Sequence, residues 1–132
     1  MTPPPTPFER LGGAAAVETL VERFYAEMDA RAEARDIRAL HGANLAPVKF
    51  VLKRYLIEWL GGPPLYSSER GHPRLRMRHL RFAIGEAERD AWLACMRAAL
   101  EATVADAPTR EGVYAAMAGL ADHMRNQVPG RA

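Results

Sequence analysis

Apolar residues recur along this chain at helical spacing and nowhere alternate with a period of two, which leaves an all-α fold as the consistent reading. Val17, Leu20, Val21, Phe24 and Met28 lie on one face of a first long helix, with Tyr25 at the edge of that face. Val48, Val51, Leu52, Tyr55, Leu56 and Trp59 mark a second. Pro47 stands where a first-turn proline is tolerated, and the run Gly61-Gly62-Pro63-Pro64 stops the helix. A third follows Gly85, with Glu86 and Glu88 at its positive end, Trp92, Met96, Ala99, Leu100 and Thr103 on its face, and Pro108 as its stop. Val113, Met117, Leu120 and Met124 predict a fourth helix running to about Gln127.

Shorter pieces connect them. Phe8 to Leu11 can form a turn of helix before Gly12-Gly13, and Asp36 to Gly42 reads as a corner. Leu65 to Pro73 reads as a loop, followed by a short helix from Arg74 to His79. The domain is expected over residues 8–127, between a Pro-rich extended tail (1–7) and a flexible end (128–132). At 132 residues the chain can bury a core without help from disulfides, which its single cysteine, Cys95, could not form internally.

Charge narrows the function. Eighteen basic residues against sixteen acidic ones leave a net +2, so nothing chain-wide argues for nucleic acid or membrane. No apolar run is long enough to span a bilayer, and the first residues carry no signal-peptide pattern, so a cytoplasmic protein is expected.

The stretch from Gly61 to Phe82 is unusual for a connector. Arg70, Arg74, Arg76, Arg78 and Arg81 surround His72 and His79. One reading is a solvated basic face, or a helical nucleic-acid-binding module whose binding weakens steeply with salt. The other makes His79 a metal ligand, pointing inward one turn after Leu75 while the arginines point outward. Imidazole beside guanidinium groups suits haem, whose iron takes the ring nitrogen and whose propionates pair with arginine.

Phe24-Tyr25, Gly61-Gly62-Pro63 with Tyr66, the run Arg70-Gly71-His72-Pro73-Arg74-Leu75-Arg76-Met77-Arg78-His79, and Glu88-Arg89-Asp90-Ala91-Trp92 together resemble the group II truncated haemoglobins. The resemblance covers about residues 8–127. It implies a two-over-two helical sandwich enclosing haem b, with His79 as the proximal iron ligand. Tyr25 and Trp92 match the distal hydrogen-bond donors of the family. His41, after the Arg38-Ala39-Leu40 run, matches a corner position over the haem face, and Val48 and Leu52 match the two positions facing the ligand. Arg78 and Tyr66 fall on the propionate side, and Tyr55 and Met96 complete the residues expected at the cofactor. His72 is expected to fix its loop, His123 to flank the last helix, and Cys95 to be an inert buried thiol.

The implied activity is reversible binding of O₂, CO and NO. Several donors around one ligand favour retention, hence O₂ or NO redox chemistry or sensing over bulk transport. NO dioxygenation or peroxidase-like turnover is the enzymatic alternative. Either needs an external reductase, and a monomer or homodimer serves equally.

Overall fold

The computed structural model describes residues 3–127, all of whose regular elements are helical. In chain order these are α1 (Pro7–Leu11), α2 (Ala14–Ala30), a 3₁₀ turn (Ala32–Ala34), α3 (Arg35–Ala39), α4 (Ala46–Trp59), α5 (Leu65–Arg70), α6 (Leu75–His79), α7 (Glu86–Thr103) and α8 (Ala107–His123). Helix α2 packs on α4 and α7, and α7 on α8, giving two pairs in two layers. Phe24, Leu20, Met28, Leu56, Met96, Leu100 and Met117 fill the space between them and are fully buried. Each such side chain contributes about 1.5–3 kcal/mol by leaving water.

Ion pairs tie the layers at the surface. Glu22 accepts from Lys49 (2.8 Å) and Lys53 (2.7 Å), the only two lysines, which joins α2 to α4. Arg89 reaches Asp122 at 2.7 Å and joins α7 to α8. Arg54 pairs with Glu69 and joins α4 to α5.

Four boundaries differ from the sequence expectation. Helix α1 begins at Pro7, with Thr6 as its N-cap in a reciprocal box with Glu9, inside the segment expected to be tail. The Gly61-Gly62 turn explains why. A side chain at Gly62 would meet the Ile57 carbonyl at 2.8 Å and the Phe8 ring at 2.9 Å, so the bare backbone lets α1 dock there. The docking is sealed by the Phe8 N–H donating to the Leu60 carbonyl at 2.9 Å. Residues 65–73 are not all loop, because Leu65–Arg70 forms α5, six residues too short to show a period. Pro108 does not end the third helix. That helix ends at Thr103, and Pro108 sits in the first turn of α8, behind the N-cap Asp106. Helix α8 ends at His123 and not near Gln127, because the backbone of residues 126–127 turns to bond Ile84 instead. The expected flexible end, 128–132, lies outside the described residues. No described helix is long and apolar enough to cross a membrane.

Candidate functional site

The layers enclose a cavity of about 560 Å³, within the range that holds a large organic cofactor. Nine of the ten residues expected at a haem line its wall: Tyr25 from α2, His41 after α3, Val48, Leu52 and Tyr55 from α4, Tyr66 from α5, Arg78 and His79 from α6, and Trp92 from α7. Met96 is the exception. It is fully buried among the residues of the helical core and is not among those lining the cavity.

His79 is half-buried, and its Nδ1–H donates to the Leu75 carbonyl, 2.6 Å away and one turn earlier. A carbonyl only accepts, so the neutral ring carries its proton on Nδ1 and keeps the Nε2 lone pair free. This is the arrangement that orients a metal-binding imidazole and raises its basicity. The loop that follows is pinned from far along the chain. Asn126 Nδ2 donates to the carbonyls of Phe82 (2.8 Å) and His79 (3.4 Å), while its Oδ1 accepts from the Ile84 N–H (2.9 Å). Sequence reasoning missed Asn126, since a lone asparagine near a helix end carries no pattern.

Tyr25, Phe24, Trp92 and His41 form one aromatic cluster. The buried Phe24 ring lies 4.9 Å from Tyr25 and 5.1 Å from Trp92, so one core side chain positions both donors. Burial pushes the Tyr25 phenol far above its usual range, which keeps the hydroxyl protonated. The His41 ring meets Tyr25 edge-on at 5.7 Å. His41 Nδ1 lies 2.9 Å from the Ile37 carbonyl, so its Nε2 is also left as an acceptor. Tyr55 stacks on Trp59 and meets Tyr66 edge-on; burial, then Tyr66 and Glu58, push its phenol up to about 12.

Arg70 and Arg81 also line the cavity, joining Arg78. The basic run is therefore a rim as well as a surface. His72 stays off this cavity and accepts from the Arg74 N–H at 3.1 Å, which fixes the turn before α6. That turn needs fixing, because Arg74 is the one described non-glycine residue with a left-handed backbone, at φ 48°. His123 is exposed, and Cys95 is fully buried with its thiol pushed up to about 11 by burial. Among the described residues no cluster of three or more His, Cys, Asp or Glu side chains could hold a metal ion.

Two helical layers packed around an apolar cavity, with imidazoles from α6 and from the turn after α3 in its wall, define a globin of the two-over-two kind. The bacterial-like globin family model matches residues 6–126. The group 2 truncated hemoglobin YjbI of Bacillus subtilis is 36% identical over 121 residues, covering 92% of this chain and 89% of that protein. The group II 2-on-2 hemoglobin of Agrobacterium tumefaciens superposes with a TM-score of 0.91 at 44% identity, covering 96% of this chain and 98% of that one. A truncated oxygen-avid haemoglobin from Bacillus subtilis gives a TM-score of 0.83 at 34% identity, covering 92% and 100%. The chain belongs to the bacterial-like globin family, and its relatives are group II truncated haemoglobins.

Proposed function

We propose that this chain holds haem b in the cavity through His79 and retains O₂, CO or NO there under hydrogen bonds from Tyr25 and Trp92. The observation that carries the reading is the His79 imidazole. Its Nδ1–H is committed to the Leu75 carbonyl at 2.6 Å, and its free Nε2 belongs to a cavity of cofactor size. When bound, haem supplies an iron with one position open to a diatomic gas.

The chain's residues do the rest. Val48 and Leu52 present apolar surface and keep water from the distal side. Tyr25 and Trp92 bring an O–H and an N–H to the same cavity, where a gas that draws negative charge accepts from them. His41, with its proton on Nδ1, offers Nε2 as an acceptor and so steers the Tyr25 hydroxyl. Arg70, Arg78 and Arg81 stand where propionates can be paired. Two donors on one ligand favour slow release, which suits O₂ or NO redox chemistry or sensing over bulk delivery. The oxygen-avid relative supports that direction.

The test is a titration of the purified chain with haemin. A stoichiometric Soret band is expected. His79→Ala should lose most of the haem or bind it with an altered ferrous spectrum, while His72→Ala and His123→Ala keep the parent spectrum. Identical ferric and ferrous spectra in His79→Ala overturn the assignment.

A further inference from the structure

From Arg70 to Arg81 the chain carries five arginines and no acidic residue. All five side chains are exposed, and none forms an ion pair among the described residues, whereas Arg54, Arg89, Arg97 and Arg125 elsewhere are all paired. Arg70, Arg78 and Arg81 line the main cavity. Arg74 and Arg76 lie off it, along a smaller hollow shared with Leu120, His123 and Met124 near the end of α8. The haem reading, on which this inference rests, brings two propionate carboxylates to the rim. Even full pairing leaves a surplus of three positive charges on one short segment.

Two large apolar side chains stand among these cations. Met77 is 56% exposed and Leu80 54%, and neither lines the main cavity. An apolar centre within a charged rim is the composition of a protein–protein contact. A surface that tracks nucleic-acid phosphates pairs its cations with polar or stacking aromatic side chains, which methionine and leucine do not replace. The patch surrounds α6, the element that carries His79.

We propose that α6 and its flanking turns are the docking surface for an acidic electron-transfer protein that returns the ferric iron to the ferrous state. One electron leaves the partner's reduced cofactor, the iron goes from Fe³⁺ to Fe²⁺, and no bond is made or broken. The surplus arginines steer the encounter, and Met77 and Leu80 supply the contact at its centre.

The test uses the full, haem-loaded ferric chain and an acidic [2Fe–2S] ferredoxin as the probe. Association of the oxidised ferredoxin, followed by chemical-shift changes and calorimetry, is expected to weaken about tenfold or more between low salt and about 0.15 M, where charges are screened beyond ~8 Å. The double variant Arg74→Asp, Arg76→Glu reverses two charges outside the cavity wall, and aspartate tolerates the left-handed backbone at position 74. It should keep the parent Soret band, lose most of the ferredoxin binding and flatten the salt dependence. Its reduction by photoreduced ferredoxin should slow in step, while reduction by a small uncharged reductant stays at the parent rate. Met77→Gln with Leu80→Gln should weaken binding with the salt slope retained. Unchanged ferredoxin binding in the charge-reversed variant, with a normal Soret band, overturns this proposal alone. So does tighter, steeply salt-dependent binding of a duplex oligonucleotide by the parent chain. A chain with no Soret band overturns the haem reading and this one with it.

Discussion

The two proposed distal donors can be ranked by removing them one at a time, Trp92→Phe against Tyr25→Phe. A neutral hydrogen bond contributes about 0.5–1.5 kcal/mol net, and one to a charged group about 1.5–3. A bound O₂ with partial negative charge falls between, so losing one full-strength donor should cost about 1.4 kcal/mol, or tenfold in release rate. The donors are not equal. The His41 ring lies 5.7 Å from Tyr25, and His41 Nδ1 is committed to the Ile37 carbonyl, which leaves Nε2 to compete for the tyrosine proton. The Trp92 N–H donates only and meets no such competitor in this cluster. Trp92→Phe should therefore speed O₂ release by about tenfold and Tyr25→Phe by less. His41→Phe should slow release, since it frees the Tyr25 proton for the ligand.

The double variant should be non-additive, because both donors share one ligand. CO, with less charge on its outer atom, should respond more weakly. Stability supplies an independent readout. The Tyr25 side chain lines the cavity and makes no hydrogen bond within the described residues, so Tyr25→Phe should leave the melting temperature of the haem-free chain little changed. Stopped-flow replacement of O₂ by CO, with thermal melts of the same proteins, measures all of this. If Trp92→Phe leaves release unchanged while Tyr25→Phe or His41→Phe speeds it, the ranking is wrong and tryptophan only packs.

Asn126→Ala removes the side-chain bonds to Phe82, Ile84 and His79, which should cost about 2 kcal/mol and hasten haem transfer to an acceptor protein; unchanged melting and transfer would show the loop after α6 holds itself. Arg78→Ala should hasten the same transfer several-fold at most, since an exposed ion pair contributes only ~0–1 kcal/mol, with the ferrous spectrum retained. Equal transfer would return Arg78 to the solvent. For Cys95, a thiol pushed up to about 11 leaves about one in a thousand ionised at pH 8, so native protein should resist iodoacetamide while unfolded protein labels quickly. Because burial raises this pKa above its ordinary 9.0, the matching stability is intact below pH 9 and is lost as pH climbs toward 11. Rapid native labelling at pH 8 would contradict the burial.

Long amphipathic helices are legible in sequence because burial of one face repeats every three to four residues. The apolar faces of α2, α4, α7 and α8 could all be read for that reason. The inward turn of His79 toward the cavity was legible too, since an imidazole one turn after Leu75 in an arginine-rich run is a local signal. Elements without repetition were not. Helix α5 spans six residues, and its Tyr66 reaches the cavity because Glu58 holds the Ser67 N–H at 2.8 Å, a contact across nine residues. Pro108 reads equally as a stop or a start, and the N-cap bond from Asp106 decides it.

Met96 shows the limit most plainly. Its spacing from Trp92 puts both on one helix face, but a face has width, and only tertiary packing decides which residue meets the cavity and which the core. Asn126 lies 42 to 47 residues from the groups it binds, so no local pattern could pair them. The sequence by itself determined the helices and the chemistry each could carry, because those depend on neighbours along the chain. The tertiary fold alone decided which side chains share one cavity, which imidazole nitrogen is committed to a carbonyl, and which described arginines form no ion pair, because those depend on neighbours in space.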